Sequence, residues 1–497
     1  MSLSSHLPAL QVVIPLASAP LALLIRQRHL TWAMMVIVSW ISLAISILLW
    51  YQVSDGSVIS YAIGAWPPPW GIEYRVDSLN AFVLVLISGT AALVVPFSLH
   101  SIEQELHQQQ HYLFHTMFAL CLAGLLGITI TGDAFNVFVF LEISSLSTYV
   151  LIALSRRRQA LLASFQYLMM GTIGATLIVV GIGLLYLLTG SLNIADIGAR
   201  LQDLAPNRAV YTALAFLTIG LSLKLALFPL HQWLPNAYAN APSAVSAFLA
   251  ATATKVAIYV LLRFYYDVFG MPLLQTAGIL LVLMALSIAA MFVASAIAIT
   301  QSDLKRLFAF SSIAQVGYIM LGVGISNDTG LTASLLHIFN HGVTKGASFL
   351  LLGIVMYAMG STDLSRLRGL GRLMPFTSAG LLLCGLSLIG IPCTSGFISK
   401  WYLVLAALEA GHWWLAFVIV ASSMLAVAYV WKFVEVAYLQ PPDAGAHLQR
   451  KPVLTMAIPT SVLCAATLYF GLDTRFSLGA ASAAAKVLLN GIAGVTP

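Results

Sequence analysis

Seven ionisable side chains stand inside apolar runs of this chain: Glu142, Lys224, Lys255, His337, His341, Lys345 and Lys400. An ionisable group near the centre of a bilayer costs at least roughly 2.5–3.5 kcal/mol on insertion scales, and such groups line bundle interiors or ion paths. The chemistry open to these residue types is proton transfer, because burial and neighbouring charge set the protonation of carboxylates, amines and imidazoles. Glu142 lies well inside FNVFVFLEISSLSTYVLIAL. There it either rests on Ser144 or Ser145 as a structural carboxylate or pairs with a lysine of another run, and Lys224 is the expected partner. Opposite charge holds an amine protonated while desolvation favours its neutral form, so a small rearrangement can move a proton. His337, His341 and Lys345 recur at intervals of four and share one helical stripe. A stripe of titratable groups can pass protons. Two histidines four apart can also bind zinc, but no H-E-x-x-H glutamate or third nearby ligand accompanies them, and satisfied buried histidines are a further reading. Lys400 either ends the relay or snorkels to the interface beside Trp401 and Tyr402. No metal and no cofactor are expected.

The elements that must hold these groups are membrane helices. The chain has 497 residues, 60% hydrophobic and only 8% charged, with a positive mean hydropathy. A soluble globule would carry about 25% charge. Fourteen apolar runs of spanning length lie near 8–26, 31–51, 78–98, 112–131, 134–154, 165–188, 209–230, 242–264, 271–299, 303–325, 330–357, 375–405, 412–436 and 453–472. Only polar Ser2, Ser4, Ser5 and His6 precede the first run, with no positive n-region, so it is expected to remain as a helix. The cysteines Cys121, Cys384, Cys393 and Cys464 are isolated, and any redox centre would sit on another chain. The net charge of +6 suggests no nucleic acid here, because it follows the positive-inside rule. With the N-terminus outside, 13 basic residues fall on the inner side and 6 on the outer; Lys224, Lys255, Lys345 and Lys400 fall within spans.

Pro229 removes a backbone donor just after Lys224, and Pro235 and Pro242 interrupt the chain again before span 8. Gly390-Ile391-Pro392 does the same in span 12. Irregular backbone at membrane depth is tolerated only where protein or water satisfies it, so both places read as broken helices beside a hydrated interior. The chain also echoes itself. SSLSTYVLIAL at Ser144 and SSIAQVGYIML at Ser311 are 167 apart, and Gly-Leu-Ser-Leu recurs at Gly220 and Gly385, 165 apart. Two units of five spans follow, with opposite topologies because five is odd. The segment Gln52–Val76, rich in Pro, Gly and aromatic residues, reads as a turn or short hairpin on the outer face, and SIEQELHQQQH reads as a solvated inner loop. His231, Asp303, Lys305 and Arg306, together with Arg263, are candidate gates or surface anchors.

The pieces FLEISSLSTY, KLALFPLHQWLPNAY with ATKVAIY, SDLKRLFAFSSIAQVGY, HIFNHGVTKG and GFISKW resemble, over nearly the whole chain, the antiporter-like subunits of Mrp-type cation/proton antiporters, respiratory complex I and membrane-bound hydrogenases. The resemblance implies an all-α polytopic fold of about fourteen transmembrane helices, with two inverted five-helix repeats and broken helices at spans 7 and 12. The divisions expected are 1–111, 112–264, 265–440 and 441–497. It matches Glu142 and Lys224 to a coupled pair, Lys255 to the central lysine of span 8, His337, His341 and Lys345 to the span 11 stripe, and Lys400 to the terminal relay lysine. Lys400 argues against one complex I class, which carries glutamate there. The chain stops soon after span 14, and the wording of spans 5, 7 and 8 looks closest to the D-type subunit of Mrp antiporters. Gly342-Val343-Thr344 departs from the family's bulkier residues at that place. The implied function is proton translocation within a multisubunit monovalent cation (Na+)/proton antiporter, a secondary transporter component rather than an enzyme; the alternative is a proton-pumping subunit of a complex I-like or hydrogenase complex. The implied partners are other membrane subunits of one hetero-oligomer, protons, Na+ and the lipid bilayer, without nucleic acid. The implied location is the bacterial plasma membrane, with both termini outside.

Overall fold

The computed structural model describes residues 3–442 and 448–490; Ser2 and residues 443–447 and 491–497 of the expected closing segment lie outside the described residues. Helices α1 (Leu7–Ile25) and α2 (Arg28–Val53) lead to an antiparallel hairpin of β1 (Ile59–Ala62) and β2 (Glu73–Val76), registered Ile59 to Val76. Helices α3 (Ser78–Glu105), α4 (His111–Ile130), α5 (Ala134–Ala153) and α6 (Arg158–Thr189) follow, then a short amphipathic α7 (Ile194–Gln202), α8 (Arg208–Leu225), α9 (Trp233–Asn240), α10 (Ser243–Ala251) and α11 (Ala253–Arg263). Beyond a π-helical turn and α12 (Gly270–Thr276) come α13 (Ile279–Thr300), α14 (Leu304–Ile325), α15 (Asp328–Met359), α16 (Leu370–Leu373), α17 (Pro375–Ile389), α18 (Ser395–Glu409), α19 (Trp413–Val434), α20 (Leu454–Leu472) and α21 (Arg475–Asn490). Among the described residues thirteen helical stretches are long and apolar enough to cross a membrane, and α17 is a shorter apolar helix.

Three crossings form the interior. The apolar window of α14 is entirely buried and those of α15 and of the α10–α11 crossing are 94% buried, against 39% for α6 and α13. A helix apolar all round must be surrounded by protein or lipid, and the three surrounded by protein carry Lys255, Lys305, His337, His341 and Lys345.

The repeat is written in hydrogen bonds at a constant offset of 170. Asp133 bridges Asn193 as Asp303 bridges Asp363. Ala134 N donates to Leu192 O and Ile194 N to Gly132 O, just as Leu304 N donates to Thr362 O and Leu364 N to Ser302 O. Ser164 Oγ donates to Tyr149 O, and Ser334 Oγ to Ile319 O. The first bridge lies beside the hairpin, where Gly132 N donates to Glu73 O. The second lies at the opposite end of the bundle, beside Arg157 and Arg306. The two units are therefore inverted, and the sequence echoes at 165 and 167 fall a few residues short of this register.

Both expected breaks are present. The α8 helix ends at Ala226 in the left-handed region (φ 61), before Pro229, and α17 ends at Gly390 (φ 92), before Pro392. A third, unforeseen break separates α10 from α11 at Thr252 (φ −124, ψ −55), in a stretch with neither Gly nor Pro. Beyond its break α18 crosses α17 so closely that a Cβ on Gly396 would fall 1.9 Å from the Ser387 carbonyl oxygen. Such overpacking costs roughly 1–3 kcal/mol. Gly396→Ala should lower the melting temperature of the detergent-solubilised protein, whereas Gly479→Ala, whose Cβ meets open space, should not; unchanged melting of the first variant refutes the close crossing.

Candidate functional site

Lys224 sits on the last turn of α8, buried, with its side chain 4% exposed. Its Nζ lies 3.3 Å from Glu142 Oε1 and donates to Ser145 Oγ at 2.9 Å. Of the two sequence readings of Glu142, the lysine is its hydrogen-bond partner, while Ser145 bonds the lysine and Ser144 bonds the Leu141 carbonyl. Glu142 itself is 23% exposed, on the face of α5 that also presents Phe135, Leu146 and Val150 outward. The indole Nε1 of Trp233 donates to the carbonyl of Leu223 near the end of α8, which also accepts Ala226 N. Behind Lys224 lies a cavity of about 20 Å³, walled by Ser145, Thr148 and Tyr167 and, across it, by Ala253 and Val256 of α11. That is room for one water between polar walls.

On the far side of α11 stands Lys255, fully buried, its Nζ donating to the carbonyl of Ala250. The break at Thr252 interrupts the helical ladder beside that carbonyl. Helix α15 approaches this break closely, since a Cβ on Gly342 would fall 2.9 Å from Ala251 O. A bulkier residue at Gly342 would push α15 away, which explains the small residue there. The next groups on α15 are then in place. His341 is 3% exposed, and among the described residues neither ring nitrogen has a hydrogen-bond partner. Its ring stacks on His337 at 5.8 Å with 9° between planes. Lys345, one turn on, donates to Phe308 O (2.7 Å) and Ser311 Oγ (2.6 Å) of α14.

His337 passes the network to the second half. Its Nδ1 lies 2.6 Å from Ser399 Oγ and its Nε2 lies 2.9 Å from Gln315 Oε1. Gln315 Nε2 in turn donates to Leu388 O, at the end of α17. Lys400 donates to the same Leu388 O (2.7 Å), to Ile389 O (3.0 Å) and to Ser423 Oγ (3.0 Å), with its Nζ 4.2 Å from the centre of the Tyr318 ring. Lys400 is 6% exposed and does not snorkel. Gln315 and Tyr318 were missed from the sequence because an isolated amide or phenol in an apolar run carries no charge signal.

The candidate gates fall into two kinds. Asp303 caps α14, accepting from Arg306 N at 3.0 Å and from Thr362 Oγ1 at 2.6 Å. Arg306 is half-buried beside a cleft of about 450 Å³ that Arg157 and Asp363 also line. His231 sits in the α8–α9 break, stacked on Phe228 at 5.3 Å. Lys305 and Arg263 are not surface anchors. Lys305 is fully buried, 3.6 Å from Glu105 Oε1. Glu105 belongs to the stretch read as a solvated loop, and it also accepts from Ser101, Ser243 N and Ser243 Oγ. Packing of α10 against the end of α3 takes this carboxylate out of water, which the local charge pattern does not reveal. Removing one member of a buried pair costs roughly 3–5 kcal/mol, and the serine donors place this pair toward the low end. Lys305→Met should therefore lower thermal stability, and Glu105→Gln added to it should recover part of the loss; additive losses exclude the pairing.

Known proteins carry the same arrangement of helices. Residues 131–426 match the family described as NADH:quinone oxidoreductase/Mrp antiporter, transmembrane region. The chain is 40% identical over 462 residues to NADH-quinone oxidoreductase subunit N of Desulforudis audaxviator, covering 90% of each chain. It is 30% identical to the D subunit of the Na(+)/H(+) antiporter of Alkalihalophilus pseudofirmus, covering 86% of each. A chain in the solved Mrp complex of a Dietzia species superposes with a TM-score of 0.89 at 28% identity, over 99% of this chain and 98% of that one. The matched residues span both breaks, the stripe on α15 and Lys400, and this chain belongs to the NADH:quinone oxidoreductase/Mrp antiporter transmembrane family.

Proposed function

We propose that this chain is the proton-translocating subunit of a multisubunit Mrp-type monovalent cation/proton antiporter in a bacterial plasma membrane, with the hairpin face outside. The reading rests on one observation above the rest: a lysine and a glutamate held 3.3 Å apart inside the bundle, at one end of a file of buried lysines and histidines that reaches Lys400. In this reading Glu142 and Lys224 alternate between close and separated states. Their separation strips Lys224 of its counter-charge and alters the field at Lys255, and the disturbance passes through His341, Lys345 and His337 to Lys400. Both ends of the described chain lie at the hairpin face, with His6 on Tyr61 and α21 in the cleft beside the hairpin, which fits termini on the outside. The domain division at 112–264 and 265–440 goes with this reading, each unit supplying one set of relay groups.

A partly exposed carboxylate on an apolar lateral face supports assembly with other membrane subunits, because Glu142 facing lipid would be costly. A second reading, a redox-driven proton pump, is favoured by the 40% identity to a complex I subunit N. The two differ in what co-purifies: further small membrane subunits for the antiporter, flavin and iron-sulfur subunits for the pump.

Glu142→Ala and Lys224→Ala should each cut cation-dependent proton movement in everted vesicles by about two orders of magnitude with the complex still assembled. Lys255→Ala should behave alike, and a wild-type rate in that variant removes Lys255 from the path. Transport retained in both members of the pair refutes the relay.

A further inference from the structure

Of the two imidazoles on the α15 stripe, His337 has both ring nitrogens engaged and His341, among the described residues, has neither. The two partners of His337 differ in kind. On one side Gln315 of α14 presents an amide whose orientation is settled at its other end, where Nε2 donates to Leu388 O at 3.2 Å and the carbonyl can only accept. Turning the amide over would set oxygen against oxygen there, so Oε1 is the atom that faces His337 Nε2 at 2.9 Å. An amide oxygen has no proton to give. His337 Nε2 therefore carries the hydrogen and donates it, and the neutral ring keeps its lone pair on Nδ1.

On the other side Nδ1 lies 2.6 Å from Ser399 Oγ, on α18 beyond the break. A hydroxyl can donate or accept as it turns. Ser399 has a second acceptor within reach, the Gly396 carbonyl at 3.2 Å, one turn back on its own helix. While the ring is neutral the hydroxyl donates to Nδ1, the nearer acceptor. Once Nδ1 holds a proton it becomes the donor, the serine oxygen accepts, and the hydroxyl hydrogen turns to Gly396 O. Both ring nitrogens and the hydroxyl are satisfied in either state, so a change of charge on His337 orphans no buried polar group. His341, stacked on His337, has no such pair of partners among the described residues.

We infer that Gln315 is a positioning residue of the relay: it fixes the tautomer of His337, so that the ring takes up and gives back its proton at Nδ1, against the Ser399 hydroxyl. The step is proton gain and loss alone. Neutral imidazole becomes imidazolium as Nδ1 takes a proton moving through the relay, and losing that proton restores the ring with hydrogen on Nε2. The charges that act on His337 are Lys400 from α18 and Lys255 from α11. The Tyr318 ring of α14 stands 6.1 Å away, and His341 and Lys345 follow along α15 itself. Like charge disfavours an imidazolium, so the ring charges as a lysine beside it discharges. Gln315 and Lys400 also share Leu388 O as acceptor, which ties the amide to the lysine at the end of the file. This inference rests on the proton-translocating reading and deepens it by naming the nitrogen at which His337 acts.

The test uses the assembled complex, with isotope-labelled histidine for nitrogen NMR and in vesicles of known orientation for flux. The His337 signal, identified by its loss in His337→Gln, is expected to show hydrogen on Nε2 wherever the wild-type ring is neutral. Gln315→Met, in which a thioether of similar length replaces the amide, is expected to show both tautomers and slower flux. Ser399→Ala is expected to slow proton flux at least about tenfold, and Ser399→Thr, which keeps the hydroxyl, to restore it. Hydrogen on Nδ1 in the neutral wild-type ring, or an unchanged tautomer in Gln315→Met, overturns the inference. So does wild-type flux in Gln315→Met or Ser399→Ala in a preparation where Lys224→Ala is silent. A slow Ser399→Ala that Ser399→Thr does not rescue also overturns it, since the loss is then structural. Full flux in Lys224→Ala instead sinks the reading on which the inference depends, whatever tautomer the spectra show.

Discussion

An ammonium group inside a membrane must find acceptors, and in this fold irregular backbone beside the lysines supplies several of them. Where a helix stops, carbonyls lose the amides four residues on. Lys255 takes Ala250 O at the α10–α11 break, and Lys400 takes Leu388 O and Ile389 O where α17 ends. Beside the α8 end the Leu223 carbonyl accepts Ala226 N and the Trp233 indole, and Lys224 instead bonds Glu142 and Ser145. An amine held by neutral dipoles has no fixed counter-charge, so its protonation answers to the charge of its neighbours. That property distinguishes such a row of amines from a set of ion pairs and supports the proposed relay.

The inverted repeat pairs the α8 break with the α17 break, while the α10–α11 break has no counterpart in the continuous α19, and the two units have been filled differently. At the offset of 170, His337 corresponds to Tyr167, His341 to Gly171 and Lys345 to Ala175. Helix α15 is interior and carries the titratable stripe. Helix α6 is peripheral, and there Tyr167 stacks on Trp233 at 3.9 Å with 4° between planes, a packing contact in place of an imidazole. Symmetry of the backbone therefore coexists with asymmetry of charge: one unit contributes a carboxylate–lysine pair, the other a file of imidazoles and amines joined by Gln315.

The lateral position of Glu142 and the two polar openings give the bundle three contacts with its surroundings. The cleft at Arg157 and Arg306 faces one side, the cleft at Arg75 and Arg263 faces the other, and Glu142 looks sideways. Lys305 with Glu105 and Arg263 with Asp77 are buried near opposite ends of the bundle. Each replaces a surface charge with a satisfied internal one.

Much of this was legible in the chain itself. Hydropathy marks fourteen crossings, because a helix that spans lipid needs about twenty apolar residues wherever it packs. Pro229 and Gly390 mark two breaks through their own backbone chemistry, and charges in apolar runs mark the buried polar file through their cost. The partners of those charges lay beyond such local rules. The break at Thr252 has no Gly or Pro to announce it and arises where α10–α11 is pressed between α15 and its neighbours. Glu105 reads as solvated until α10 packs over it; Asp77, Asp267 and Tyr259 become a network round Arg263 only when helices up to 186 residues apart in sequence meet, and Gln315 joins His337 to Leu388 O in the same way. Residue type and spacing decide which groups are costly to bury; only the packing of the helices decides what meets that cost.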